Sequence, residues 1–317
     1  MTIIPGNFAR QMTKEDLRIV FFGTPDFAVA SLKAIVESGY QVVAVVTAPD
    51  KAAGRGYQLQ SSAVKKAALE LGLDVLQPEK LKAPEFIETL KSYKADLQIV
   101  IAFRMLPEIV WNMPAMGTFN LHASLLPAYR GAAPINHAII NGETQTGNTT
   151  FFLKHEIDTG AIILQDTVEI LPEDNAGTLH DKLMHNGAQL VVKSLDAIVS
   201  ESCHLSEQKQ GEYPTAPKIF TETCQINFQQ SAVKVHNLIR GLSPYPAAFT
   251  EFMGKKLKIF GSKITNELAT KTGQIEAHGR ERLIAHCADY IIEITDVQYE
   301  GKKRMPVKDF LNGLKAT

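Results

Sequence analysis

Two residues at strand spacing, Asn120 and His122, carry the clearest chemical signal in the sequence. They lie in G-T-F-N-L-H, and in an extended segment residues i and i+2 project from the same face. A carboxamide donates hydrogen bonds to an oxyanion, and an imidazole moves a proton near neutral pH. Side by side, the two are equipped for acyl transfer. The plainer alternative is an Asn and a His that satisfy hydrogen bonds at a strand end, the commoner use of a bare N-x-H. Downstream, H-E-I-D-T-G sets Asp158 just before a turn glycine. An Asp there is able to orient an imidazole, although an isolated D-T-G more often caps a turn. Between these motifs runs S-L-L-P-A-Y-R-G-A-A-P (124–134), too irregular for regular packing and too apolar for a free surface loop.

The flanking elements say where such a site sits. Residues 17–23 (LRIVFFG) read as a buried parallel strand. Thr24-Pro25-Asp26 then opens a helix, with Thr24 as cap and Pro25 in the first turn. Residues 41–46 (QVVAVV) form the next strand, so the unit is strand–helix–strand with a right-handed crossover. Helices at 62–71, 83–92 and 178–194 alternate with strands at 74–76, 97–102, 117–122, 149–153 and 162–168. This predicts a doubly wound, mostly parallel α/β domain over 17–205. Asn120 and His122 fall at a strand end, where open α/β sheets bind ligands. The polar stretch ESCHLSEQKQGEYPTAP (201–217) reads as a linker. After a helix at 231–240 the apolar period becomes two, giving strands at 248–252, 256–260, 273–277, 282–286 and 290–297. That is a small all-β domain of barrel type, ending in a helix at 307–314. The expected boundaries are a flexible leader at 1–16, a catalytic domain at 17–205, a linker at 206–221 and a β domain at 222–317.

Composition narrows the function classes. The 317 residues are 45% hydrophobic and 21% charged, which excludes a disordered or low-complexity chain. The run 97–103, seven residues including a Gln, is among the longest apolar stretches. It falls far short of the roughly 20 residues of a membrane helix, so no membrane partner is expected. The first residues lack the apolar core of a signal peptide. Three cysteines, Cys203, Cys224 and Cys287, show neither CxxC nor metal-ligand spacing, which predicts a reducing cytoplasm and no metal. Residues 222–317 carry 14 Lys+Arg against 10 Asp+Glu, and the preceding residues 19 against 24. A basic tail behind an acidic front fits a polyanionic partner. The turn Gly23-Thr24-Pro25-Asp26 lacks the further glycines of a dinucleotide fingerprint. No Lys-Ser/Thr follows Gly54-Arg55-Gly56, and both absences speak against a nucleotide-dependent oxidoreductase. His137, His180 and His185 read as ordinary helix residues.

The string N-L-H-A-S-L-L-P-A-Y-R-G-A-A-P-I, followed by E-I-D-T-G, resembles the signature of the 10-formyltetrahydrofolate-dependent formyltransferases. The likeness runs through nearly the whole chain from Leu17, including F-G-T-P-D-F-A, A-P-D-K-A-A-G-R-G, I-I-N-G-E-T-Q-T-G-N-T-T, I-R-G-L-S-P-Y-P and E-G-K-K-R-M. Within that family it is greatest to the members acting on methionyl-tRNA. The resemblance implies a Rossmann-like sheet of formyltransferase type followed by an OB-like barrel. It implies 10-formyltetrahydrofolate as formyl donor, no metal, and initiator methionyl-tRNA as acceptor. It further implies a monomeric, cytoplasmic, bacterial enzyme of translation initiation. Carried over by residue, it assigns a catalytic trio of Asn120, His122 and Asp158. Ser124, Leu125, Leu126 and Pro127 would lie against the folate, and Arg55 would reach the end of the tRNA acceptor stem. Lys302, Lys303 and Arg304, in the basic second domain, would contact RNA.

Some residues depart from the pattern. The family usually has A-Y-G before L-P, whereas A-F-R-M-L-P here puts Arg104 in that place. With Leu106, Arg104 would border the folate pocket, either touching the folate or pointing to solvent. Tyr57-Gln58-Leu59-Gln60-Ser61 has fewer lysines than many relatives, and Asn136 stands where Gln is common. The nearest alternative is the same trio acting on a small amine, an amino-sugar nucleotide or glycinamide ribonucleotide. Further alternatives are hydrolysis of the formyl-folate, and an RNA-binding protein with a vestigial α/β domain. Retention of all three trio residues speaks against the last.

Overall fold

The computed structural model describes residues 13–53 and 58–314. Arg55 and the first twelve residues of the expected leader lie outside them. Along the chain run β1 (Arg18–Gly23), α1 (Asp26–Glu37), β2 (Gln41–Val46), β3 (Lys51–Ala53), β4 (Gln58–Gln60), α2 (Ala63–Glu70), β5 (Val75–Leu76), α3 (Pro84–Ser92), β6 (Leu97–Ile101) and α4 (Glu108–Trp111). Then come β7 (Thr118–His122), β8 (Arg130–Gly131), α5 (Pro134–Ile140), β9 (Gln145–Phe152), β10 (Ile162–Glu169), α6 (Ala176–Val199) and β11 (Thr215–Ala216). The remainder is α7 (Ala232–Gly241), β12 (Ala248–Phe252), β13 (Lys255–Leu268), β14 (Ile275–His278), β15 (Arg282–His286), β16 (Tyr290–Tyr299), β17 (Met305–Pro306) and α8 (Val307–Asn312). The chain divides into two compact units. One holds residues up to Arg130, Gly147–Val168 and Asp181–Pro214; the other holds Gly131–Thr146, Glu169–His180 and the residues from Thr215 onward.

The sheet of the first unit has the order β10-β9-β7-β6-β1-β2-β5. The strands from β7 to β5 are parallel, and β9 joins β7 antiparallel. Strands buried on both faces need continuous apolar side chains, and in β1 Ile19, Val20, Phe21 and Phe22 are all fully buried. The order reverses between β1 and β6, the kind of switch point outside which open α/β sheets bind ligands.

Three local features differ from the sequence reading. Pro25, not Thr24, takes the N-cap of α1, and no side chain caps that helix. The Asp26 carboxylate instead accepts from the Phe27 N–H at 3.0 Å, placing negative charge at the positive helix end. β9 begins four residues earlier than the apolar pattern indicates, because its first half is buried polar surface. Asn148 donates to Leu183 O at 3.0 Å and to Asn186 Oδ1 at 2.8 Å, while Thr150 shares a hydrogen bond with Ser194 at 2.7 Å. β13 runs on to Leu268 through register shifts near Gly261, and its second half leaves Ile264 and Leu268 exposed, so no inward alternation marks it.

The second unit holds the antiparallel sheet β12-β13-β16-β15-β14, with β17 on β16, consistent with a small barrel. Its core gathers Val235, Ile239, Leu257, Ile259, Leu283, Ile292, Ile294 and Phe310. Helices α5 and α7 meet closely: Asn136 donates to Gly241 O at 2.7 Å, and a Cβ on Gly241 would come within 2.6 Å of Ile140.

His236 on α7 shares a hydrogen bond with Ser262 at 2.9 Å. Burial, helped by the charge of Arg240, pushes its imidazole below its ordinary value. A depressed folded-state value means that the unfolded chain takes up the proton first. The stabilisation is therefore complete above about pH 6.5 and is lost as pH falls through the folded value. Between about pH 7 and pH 5 the urea midpoint of the unaltered protein should fall more than that of His236→Gln. Equal falls would remove His236 from the account.

Candidate active site

β7 ends at the carboxyl edge of the parallel sheet, with Asn120 opposite Val100 of β6 and Phe151 of β9, and His122 opposite Thr149. Alternation puts the Asn120 and His122 side chains on one face, as the spacing predicts. Asn120 is half-buried, and its Nδ2 donates to Val100 O at 2.9 Å. That engages one of its two amide protons. His122 is 7% exposed. Its Nε2 meets the carbonyl oxygen of Tyr129 at 2.9 Å, and its Nδ1 lies 3.9 Å from Asp158 Oδ2. A carbonyl only accepts, so the proton is assigned to Nε2, and the lone pair of the neutral ring lies on Nδ1, toward Asp158. The 3.9 Å separation is within ion-pair range and longer than a hydrogen bond.

The 124–127 segment is held by the strands beside it. Thr149 Oγ1 donates to Ser124 O at 2.6 Å and accepts from Leu126 N at 3.1 Å. Gln165 Nε2 donates to Leu126 O and to Thr149 Oγ1, each at 2.9 Å. Ser124 and Leu126 are buried, Ser124 donating to Ala128 O at 2.7 Å, whereas Leu125 and Pro127 are half-buried and offer an apolar face. Tyr129 and Asp158 both have left-handed backbones, with φ of 60° and 54°. Residues with a Cβ adopt that region where their surroundings hold them there.

The other expected site residues lie as follows. Leu106 is buried in the core with Val20, Phe22, Val100 and Val110. Arg104 is exposed, and its guanidinium donates to the carbonyls of Glu79, at 2.8 Å, and Pro78. Arg104→Ala should therefore leave folate affinity within about twofold, measured by calorimetric titration. A tenfold weakening would put the side chain in the folate site instead. Lys302, Lys303 and Arg304 are exposed at the turn after β16. Arg304 is bound to Asp296 through Nε at 2.7 Å and stands 4.4 Å from the centre of the Phe260 ring. Arg55 lies outside the described residues. The sequence reading missed Tyr129, Thr149, Gln165 and Gln208; Tyr129 and Thr149 stood in strings it had already quoted.

A trio at a strand end on a doubly wound sheet, followed by an antiparallel β domain, defines a class, and comparison with known proteins agrees. The profile "Formyl transferase" matches residues 17–195, and "Formyl transferase, C-terminal domain" matches residues 218–315. The chain belongs to the formyl transferase family. It is 52% identical over 316 residues to the methionyl-tRNA formyltransferase of Bacteroides fragilis, covering 96% of this chain and 98% of that one. Among solved structures it is similar to WlaRD, a sugar 3N-formyl transferase crystallised in the presence of dTDP and 5-N-formyl-THF. There the identity is 22% and the TM-score 0.67, over 90% of this chain and 99% of that one. It is also similar to HypX from Aquifex aeolicus in complex with tetrahydrofolic acid, at 20% identity and a TM-score of 0.64. That match covers 94% of this chain and 47% of HypX, so the chain spans about half of that protein. At these identities the likeness is one of fold. Among the described residues no three His, Cys, Asp or Glu side chains gather as metal ligands would, and no helix is long and apolar enough to cross a membrane.

Proposed function

We propose that this protein transfers the formyl group of 10-formyltetrahydrofolate to the α-amine of methionine on initiator methionyl-tRNA, giving formylmethionyl-tRNA for translation initiation. The observation that carries the reading is the triangle at the end of β7: Asn120 and His122 share a face, and Asp158 stands 3.9 Å from His122 Nδ1. The 52% identity to the Bacteroides fragilis enzyme, over nearly the full length of both chains, supports the acceptor.

When bound, the folate supplies an activated formyl carbon. Leu125 and Pro127 lie against it, with the buried Ser124 and Leu126 between them in the chain. The second N–H of Asn120 Nδ2 donates to the formyl oxygen as charge develops there. His122 Nδ1 takes the proton of the attacking amine and passes it toward the leaving nitrogen; once Nδ1 is protonated, Asp158 holds the ring and offsets the charge it has gained. An uncharged amine is already a competent nucleophile, so the chemistry needs neither a metal nor a covalent enzyme intermediate. Arg55 reads the end of the acceptor stem. Lys302, Lys303 and Arg304 meet phosphates, Arg304 from its seat on Asp296, and give the affinity a salt dependence. Residues 17–205 form the catalytic domain and 222–317 the tRNA-binding domain of a cytoplasmic, monomeric bacterial enzyme.

An acceptor panel tests the substrate. Release of tetrahydrofolate, followed by absorbance, should rise with initiator methionyl-tRNA and stay at background with an amino-sugar nucleotide, glycinamide ribonucleotide or buffer. A rise with one of the small amines alone would move the enzyme to that substrate. An equal rise in buffer would make it a formyl-folate hydrolase.

A further inference from the structure

The segment after α6, which composition marks as a linker, contains a fully bonded carboxamide. Gln208 is 8% exposed. Its Nε2 donates to the carbonyls of Asp158 and Gly160, each at 2.9 Å. Its Oε1 accepts from Arg130 Nε at 3.0 Å and from Arg130 Nη2. Both amide protons and both oxygen lone pairs are thereby engaged. The reversed amide would set its oxygen against two carbonyls and its NH2 against a guanidinium. Arg130 therefore determines which end of the carboxamide faces the Asp158 turn.

The same stretch of chain also reaches the other side of the imidazole. Tyr129, whose carbonyl receives His122 Nε2, donates its own N–H to Pro214 O at 2.6 Å. Both groups that flank the ring thus belong to residues in left-handed backbone, and each is fastened to the segment 208–214. Of the two fastenings only the one through Gln208 bears on Nδ1, the nitrogen that faces Asp158.

We propose that Gln208, oriented by Arg130, is a positioning residue for His122: it sets where Asp158 stands relative to Nδ1, and so governs turnover rather than substrate binding. The kinetic side of this proposal rests on the formyl-transfer reading above. The gap between Nδ1 and Asp158 Oδ2, 3.9 Å, exceeds hydrogen-bond length by about 1 Å. Motion on that scale decides whether the carboxylate engages the ring, and a misplacement of about 1 Å at a reacting group costs on the order of 10²-fold in rate.

Gln208→Glu tests this with little change of shape, keeping an acceptor for Arg130 while turning an oxygen toward the two carbonyls. Its kcat should fall roughly 10- to 100-fold, with KM for folate and tRNA within about twofold. Arg130→Met should do the same. The double variant R130M/Q208M should be no slower than Gln208→Met, because both act through one amide. Independently of any acceptor, the side-chain nitrogen resonances of His122, identified by their loss in His122→Asn, should move in Gln208→Glu while those of the other histidines stay. If the unaltered protein forms no formylmethionyl-tRNA and the His122 resonances still move, the substrate reading falls and the positioning role stands. Unmoved His122 resonances would overturn the proposal. So would a kcat within about threefold of the unaltered protein, or a loss appearing as a matching rise in KM.

Discussion

His122→Ala and Asn120→Ala should each slow formyl transfer by about 10²–10³ or more, with folded structure retained. Asn120 has two amide protons to give. One amide proton is held by Val100 O at 2.9 Å, and the other is the donor assigned to the developing oxyanion. Removing the carboxamide forfeits that donor, and the stability lost with the Val100 bond is only about 1 kcal/mol. Rate and stability should therefore separate widely. For His122 the loss is of the proton carrier itself, and the ring is nearly buried, so some loss of packing accompanies it. Single-turnover rates on methionyl-tRNA, set beside urea midpoints, make the comparison. Near-normal turnover by either variant, or a rate loss matched by unfolding, would remove that residue from the chemistry.

The second large effect is expected at Gly160. A Cβ built there would stand 1.6 Å from Phe152 O and 2.8 Å from its carbonyl carbon, so backbone must move to admit it. The neighbouring turn carries Asp158, and Gln208 bonds the carbonyls of both Asp158 and Gly160. Gly160→Ala should therefore cost about 3 kcal/mol or more of stability. Turnover of whatever remains folded should fall on the order of 10²-fold, because the carboxylate is displaced. Gly254→Ala is a useful contrast: its site is open, and the penalty is confined to a left-handed backbone with φ of 72°, about 1 kcal/mol. Measured by urea unfolding, the two should differ severalfold. A Gly160→Ala protein with unchanged midpoint and full activity would mean that the turn tolerates rearrangement and that Asp158 need not stand where it does.

Burial on both faces explains why so much of the first sheet was legible. β1, β2 and β6 read directly from apolar runs, because burial there is carried by side chains whose type shows it. β9 was only half legible because its first half, with Thr146 and Asn148, is buried polar surface, and the amide of Asn148 donates to Leu183 and Asn186, far along the chain. The far half of β13 escaped because its apolar side chains face solvent. At the site, strand spacing was enough to pair Asn120 with His122, whereas Asp158 read equally as a turn cap until the family resemblance assigned it to the trio. Tyr129, Arg130 and Gln208 act through backbone carbonyls and a carboxamide, and contacts of that kind leave no periodic trace. The link from Gln208 to Arg130 spans 78 residues, and composition alone makes its segment a linker.

Transfer of a formyl group from folate to methionine on a tRNA is measured by incubating the protein with 10-formyltetrahydrofolate labelled in the formyl carbon and either initiator or elongator methionyl-tRNA, with His122→Ala alongside. Label should appear on the initiator tRNA, with little on the elongator and a loss of about 10²-fold or more in the variant. Label that is absent from both tRNAs, or that survives undiminished in His122→Ala, would contradict formyl transfer by this trio.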